Sequence, residues 1–594
     1  MEFGSRIFDL GTALVFVPAP QLTTELDLHH VTNISSPART ILFCASAFAD
    51  MEKSGSLAFS QSFNLIPKSH QVLSTPELAI IITRNSARQD CARMLRTCKL
   101  LYNIAVPFVW EHVDGAKHLL LLLNAAYESQ SRSSRPPLSQ IFLTDCFWIS
   151  DPFVRFDFYA SHVKSLDICG SKGEMIEVAG WKVLVARAQR QALLPNLHTV
   201  TITSFSKSSG PDQPMWIGAF SCPSLVNLTI ATSNLSNVPT VSYPAASFIM
   251  KSLGARSPKI ERLSLFPDAA KGDHPDDAES GLLAFLSGDK FFYEHAATLT
   301  CLRHLSCTYA WFQPLGIQTL GRLPYLESIT ACGADSAGRK YPTINEDLFP
   351  MLRYLYLHDA DCFESANVME ITQMVKSLTS LRVCLGMLEL YEIGEEFWLM
   401  ERFFPLLLNA PKLTDLRIDA NLGRNTEYWY HIDEPMLGIL QQLPIKSLHL
   451  GEIRLDAQAL SLDLASVWPS VTSLRMPCQP ASLEIISRFA QLPNLHQLEL
   501  SLDLCKPTLE YCKTTSHLTV LEASPSSIIC SSFKDIDQIA RALLDIFPDI
   551  TCVAWPNDPG NGPTKKLACE RAEFLNGHLA TLREFQTFKQ AHQS

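Results

Sequence analysis

The chain has 594 residues, 47% of them hydrophobic and 18% charged, with a formal net charge of −11. That is the composition of a folded protein, and a negative balance without a long basic run excludes nucleic-acid recognition by phosphate neutralisation. No apolar run reaches the ~18 residues a membrane helix needs, so a membrane span is excluded too. One compact core does not serve this length, whereas a repeat array does, because each unit buries its apolar stripe against its neighbours. The 17 cysteines are odd in number and scattered, which reads as reduced thiols of the cytoplasm or nucleus. The apolar segments Leu10–Ala19 and Ile41–Ala49 lack the basic start or the terminal position of a signal sequence.

Residues 1–70 show no period and read as a disordered or uncertain N-terminal extension, with Met51 an alternative start. The character changes over 73–113. Thr75-Pro76-Glu77 is a helix start, with Pro where its missing N–H costs nothing. Leu78, Ile81 and Ile82 give that helix an apolar face. Asp90 is placed to cap a second helix carrying Cys91, Met94, Leu95 and Cys98. Leu101, Ile104 and Ala105 continue the stripe, Pro107 interrupts it, and Trp110 follows.

These residues resemble an F-box. The proline and acidic residue of Thr75-Pro76-Glu77, the step Thr97-Cys98-Lys99 and the closing Trp110 stand 22 and 12 residues apart, counted from Pro76 through Cys98. Thr75 occupies the place of the family's leucine. The resemblance implies a three-helix module that buries apolar surface against a Skp-type adaptor and, through it, joins a cullin. Its anchors would be Pro76, Leu78, Ile81, Leu95, Cys98 and Trp110.

His118–Asn124 reads as a buried segment and Glu128–Pro137 as a Ser/Arg/Pro linker. From there one phrase, L-x-x-L-x-L, recurs. It is clearest at Leu352, Leu355 and Leu357 of FPMLRYLYLHD, where Leu355 and Leu357 alternate as a strand with one buried face requires. Copies begin at Leu197, Leu225, Ile260, Leu413, Ile445, Val471 and Leu495, and weaker ones at Leu138, Val163, Leu302, Leu326, Leu518 and Ile550. First anchors fall 23 to 42 residues apart, except for 61 residues between Leu352 and Leu413, where Leu381 begins a copy slipped by one residue. Helical spacing lies between the phrases, as in Leu483, Ile486, Phe489 and Leu492. The period is that of leucine-rich repeats. The fold class predicted is therefore α/β, a solenoid over 138–557 with a curved parallel sheet inside and helices outside. The acidic Asp268–Glu279 reads as a solvated loop, its spacing unlike an EF-hand. Residues 564–592 form an amphipathic capping helix.

No catalytic motif of the H-E-x-x-H, G-x-S-x-G, G-x-G-x-x-G or P-loop kind is present. The chain reads as a non-enzyme with no catalytic residue, cofactor or metal. What remains is the outward side of the strands. Thr201, Thr229, Ser264, Ser306 and Thr330 make its early part small and uncharged. From Tyr354, Tyr356 and His358 onward it turns aromatic and charged, through Asp415, Arg417, Asp419, His449, Arg475 and Glu499. Aromatic and arginine side chains dominate binding hot spots, so a protein partner is expected on Tyr354, Tyr356, His358, Arg417, His449, Arg475 and Glu499.

The whole pattern resembles the F-box-like leucine-rich proteins of mushroom-type fungi. That resemblance implies a substrate-recognition subunit of a cullin–RING ubiquitin ligase. The alternative is a leucine-rich interaction scaffold without ligase attachment.

Overall fold

The computed structural model describes residues 75–131, 138–144, 151–170, 175–204, 213–232, 240–241, 243–267, 290–333, 347–360, 362–385, 402–420, 430–505, 516–529, 532–556 and 563–593. All belong to one unit, Pro67–Ser594. The extension 1–70, the acidic insertion 268–279 and residues 557–562 lie outside the described residues.

Three helices come first: α1 (Pro76–Arg84), α2 (Arg88–Met94) and α3 (Lys99–Trp110). Thr75 is the N-cap of α1 and Pro76 opens its first turn. Helix α2 starts from Ala87, so Asp90 sits within its first turn instead of capping it, where a carboxylate still favours the helix dipole. Pro107 does not end α3, which runs through it and buries Leu101, Ala105, Val106, Val109 and Trp110.

Beyond α3 a 16-stranded sheet begins. Along its path lie β1 (His112–Asp114), β2 (Ser165–Asp167), β3 (Thr199–Ser204), β4 (Asn227–Thr232), β5 (Arg262–Ser264), β6 (His304–Thr308), β7 (Ser328–Cys332), β8 (Tyr354–Ala360), β9 (Ser380–Leu385), β10 (Asp415–Ala420), β11 (Ser447–Gly451), β12 (Ser473–Ala481), β13 (Gln497–Leu504), β14 (Val520–Ala523) and β15 (Cys552–Ala554). Each pairs in parallel with the next. Ile528–Ile529 joins beside β13, off that path.

The leucine phrase explains the order. Its first anchor sits in the turn ahead of a strand, and its second and third point from the strand into the core. Leu352, Leu355 and Leu357 are all buried. Burying each such side chain contributes roughly 1.5–3 kcal/mol. The backbone repeats a matching device at the strand entrance: one carbonyl accepts two consecutive N–H groups of the next unit. Arg353 O accepts from Thr379 N and Ser380 N at 2.9 and 3.0 Å. Thr379 O takes Thr414 N and Asp415 N, and Thr414 O takes Lys446 N and Ser447 N.

Two expectations about the sheet change. Leu138 does not start it: Leu138–Leu143 lies in a separate three-stranded sheet, antiparallel to Ala126–Ser131 and parallel to Met175–Ala179. The large sheet starts earlier, at His112–Asp114, which pairs with Ser165–Asp167. Nor does the copy near Leu381 slip. Leu381 pairs in register with Leu355 and Leu416, so it is the second anchor, and buried Leu378 is the first.

Helices form a second layer. Trp181–Arg190 packs on Gln213–Phe220, which packs on Tyr243–Arg256, then Lys290–Ala297, then Pro314–Gly321. Arg256 fastens three of them, donating to Ala188 O and Gly218 O, both at 2.7 Å. The last helix, Pro563–Gln593, covers Phe533–Ile546 and β15, burying Ala572, Leu575 and Leu579. Among the described residues no helix is long and apolar enough to cross a membrane.

Candidate protein-interaction face

Parallel register turns the outward positions of the strands into one row. Thr201 pairs with Thr229, and Ser264, buried at 5% exposure, with Ser306 and then Thr330. Thr330 meets Tyr356, after which the row reads Arg382, Arg417, His449, Arg475, Glu499 and Glu522. Tyr354, Tyr356, Arg417, His449, Arg475 and Glu499 therefore do share one face. Arg382 and Glu522 belong with them and were not foreseen. Both lie in frames read as slipped or weak; the signal that would have found them is Leu378 as the first anchor and the Leu518–Leu521 pair.

Asp419 is the hub of the row. Arg417 Nε donates to its Oδ2 at 2.6 Å and Nη2 to its Oδ1 at 3.4 Å. His449 Nε2 bonds Oδ1 at 2.9 Å, which places the imidazole hydrogen on Nε2 if the carboxylate is ionised. Burial pushes the Asp419 carboxyl upward, but the hydrogen bonds from His449 and Arg417 outweigh it and hold it below its ordinary value. Gly451, paired with Asp419 on the next strand, leaves the space: a Cβ there would stand 2.5 Å from Asp419 Oδ1.

Either side of that hub the row differs. Arg382 lies over the ring of Tyr356, Cζ 4.6 Å from the centroid, a cation–π contact. Burial pushes the Tyr356 phenol up to about 12. On the other side Arg475 reaches toward Glu499 (3.9 Å) and Glu522 (3.4 Å). Gln497 Nε2 donates to Glu522 Oε1 at 2.7 Å.

His358 departs from its expected place. It is buried at 8% exposure, in register with Cys332 and Cys384, and packs against Tyr356 in a T-shaped contact with ring centroids 5.7 Å apart. The strand also bulges just after it, Asp359 taking a φ of 52°. His358 is thus a packed side chain and no part of the exposed face. No group of three His, Cys, Asp or Glu side chains suited to a metal comes together among the described residues.

The N-terminal helices divide the other set of residues. Leu78, Ile81, Pro76 and Cys98 are exposed and Leu95 is half-buried. The apolar face of α1 is turned outward: α1 buries Ala79 and Thr83 and leaves Leu78 43%, Ile80 42% and Ile81 56% exposed. Trp110 is the correction. It is 5% exposed, its ring 4.5 Å from that of Tyr159, and Tyr159 in turn shares a 2.7 Å hydroxyl contact with Tyr102. Trp110 joins α3 to the first repeats and presents nothing to a partner.

A parallel sheet taking one strand from each recurrence of the leucine phrase after Leu138, backed by helices, is the architecture of an α/β leucine-rich-repeat solenoid. No protein-family model and no curated protein matches the chain. Among solved structures it is similar to a TLR13–ssRNA13 complex (14% identity, 68% of this chain and 55% of that one, TM-score 0.31). Similar too are the mouse RP105/MD-1 complex (12% identity, 66% and 57%, TM-score 0.32) and an internalin, inlF, of Listeria monocytogenes (11% identity, 64% and 89%, TM-score 0.28). The chain spans little more than half the length of the first two.

Proposed function

We propose that the chain is a non-catalytic recognition protein, a substrate receptor whose α1–α3 dock a Skp-type adaptor, and through it a cullin, while the sheet face holds a target protein for ubiquitin transfer. The observation that carries this reading is the outward apolar side of α1. Leu78, Ile80 and Ile81 stand exposed together on one helix, and contiguous exposed apolar surface marks interaction sites. The receptor supplies proximity and orientation to the reaction. Co-expression with a Skp-type adaptor tests it. The adaptor should co-purify with the intact chain and be lost on Leu78→Asp plus Ile81→Asp, with the thermal melt unchanged. Truncating a central interface anchor commonly costs about 2 kcal/mol or more. Failure of the intact chain to hold the adaptor would leave the second reading, an interaction scaffold without ligase attachment. The packing of Trp110 on Tyr159 favours that alternative, since it makes α3 serve as an N-terminal cap of the repeats.

A further inference from the structure

The charged row is not uniformly satisfied, and its two unsatisfied ends carry opposite signs. At one end Arg382 has, among the described residues, no carboxylate of its own. Its closest, Asp419 Oδ2, is 3.8 Å away and already holds Arg417 and His449. Arg382 Nε is buried without a hydrogen-bond partner, and the guanidinium is held against Tyr356. With Nε out of a ligand's reach and the side chain still 40% exposed, a planar fork fixed in this way is prepared to grip a carboxylate end-on, through two parallel hydrogen bonds from its Nη groups. Asp419 close by disfavours a dianion more than a monoanion, which selects a carboxylate over a phosphoryl group. At the other end Glu499 and Glu522 lie in register on adjacent strands and share one guanidinium, Arg475, at 3.9 and 3.4 Å. Two anions to one cation leave net negative charge there.

We propose that this face takes an extended peptide segment lying across the strands, one acidic side chain seated on Arg382 and one basic side chain seated at Glu499 and Glu522. Arg382 on β9 is four strand steps from β13 and five from β14. At ~4.8 Å per step that is about 19–24 Å, which an extended chain covers in about six or seven residues. Arg417, Asp419 and His449 between them are paired with one another, and form the floor beneath the segment. The proposal rests on the reading of the sheet as a partner-binding face and names the chemistry of that partner.

Selection of a displayed random 12-residue peptide library on the intact chain tests it. The expected result is enrichment of peptides with an acidic and a basic residue about six or seven positions apart, in either order. A selected peptide is then synthesised, with each charged residue also replaced by Ala, and titrated by fluorescence anisotropy. Arg382→Ala should weaken the parent peptide about tenfold and leave unchanged the peptide already lacking its acidic residue. Glu499→Gln with Glu522→Gln should do the same for the basic residue, a pair of double-mutant cycles. Thermal melts show that each variant is folded. Enrichment without the charge pair, or losses independent of the peptide's charges, overturns the proposal. Tighter binding when phosphoserine replaces the acidic residue overturns the choice of a carboxylate. Adaptor co-purification reads α1–α3 alone, so its failure is distinguishable from failure here.

Discussion

Asp419 and His449 are tied across adjacent strands by a 2.9 Å hydrogen bond between Oδ1 and Nε2, while Arg417 holds the same carboxylate from its own strand. Burial alone would raise the Asp419 carboxyl; His449 and Arg417 bring it below its ordinary value. The folded state therefore binds that proton less readily than the unfolded chain does. Stability from the anion is complete above the ordinary aspartate value of about 3.9 and is lost as pH falls through the lower folded value. Asp419→Asn should melt lower at pH 7, by about 1–3 kcal/mol for a charged hydrogen-bond partner. The gap to the parent should close progressively as pH falls below the ordinary aspartate value of about 3.9, as thermal melts over an acid series will show.

The inward and outward residues of one strand should respond in opposite ways. Leu355 is buried between β7 and β9, and Leu355→Asp places an unpaired charge there at a cost of several kcal/mol. Tyr356→Ala removes a half-buried side chain stacked under Arg382 and should cost about 1 kcal/mol. Urea midpoints compare the two, and hydrogen exchange should show that Leu355→Asp opens β7, β8 and β9 together.

Trp110 and α1 separate stability from binding. Trp110→Ala should destabilise the junction by about 3–5 kcal/mol, as large-to-small changes in cores do, because the cavity opens beside Tyr159. Leu78→Asp and Ile81→Asp change exposed positions and should shift the melt by less than about 0.5 kcal/mol. Calorimetry of the variants without any partner distinguishes them.

The far edge of the sheet is closed by one side chain. Asn576 Oδ1 accepts from Val553 N at 2.8 Å and its Nδ2 donates to Val553 O at 3.0 Å, standing in for a neighbouring strand. Unpaired sheet edges template association with other chains. Asn576→Ala should lower stability by about 1–3 kcal/mol and leave the chain monodisperse, the helix still covering β15. Deleting residues 563–594 should instead produce self-association, read by sedimentation velocity.

Much of this fold is legible in the sequence because a leucine on a half-buried strand leaves a period of two, and the array repeats it. Where the phrase is anchored by Leu352 or Leu495, strand and face follow directly. Leu138 misled because alternation marks any strand with one buried side, whichever sheet it joins. The entry strand at His112–Asp114 is three residues long, too short to carry a period, and it follows directly on α3. The row was legible at Arg417 and Arg475. Arg382 needed Leu378 recognised as an anchor, and the role of Asp419 needed the register that brings His449 alongside it. His358 alternates as Tyr354 and Tyr356 do, yet it is buried beside the Tyr356 ring, and alternation alone carries no information about what lies above a residue.

The paired acceptance at successive strand entrances, as at Arg353 O, Thr379 O and Thr414 O, is made by main-chain N–H groups, joined at Arg353 O and Thr379 O by the hydroxyls of Thr379 and Thr414. Spacing along the row is consequently fixed at the strand entrances, independently of which side chains stand in the row itself. Point substitutions at 356, 382, 417, 449, 475, 499 and 522 can rewrite the pattern of charge while the ruler beneath it stays the same. Such a surface can change what it reads by single letters, without any rebuilding of the scaffold that displays them.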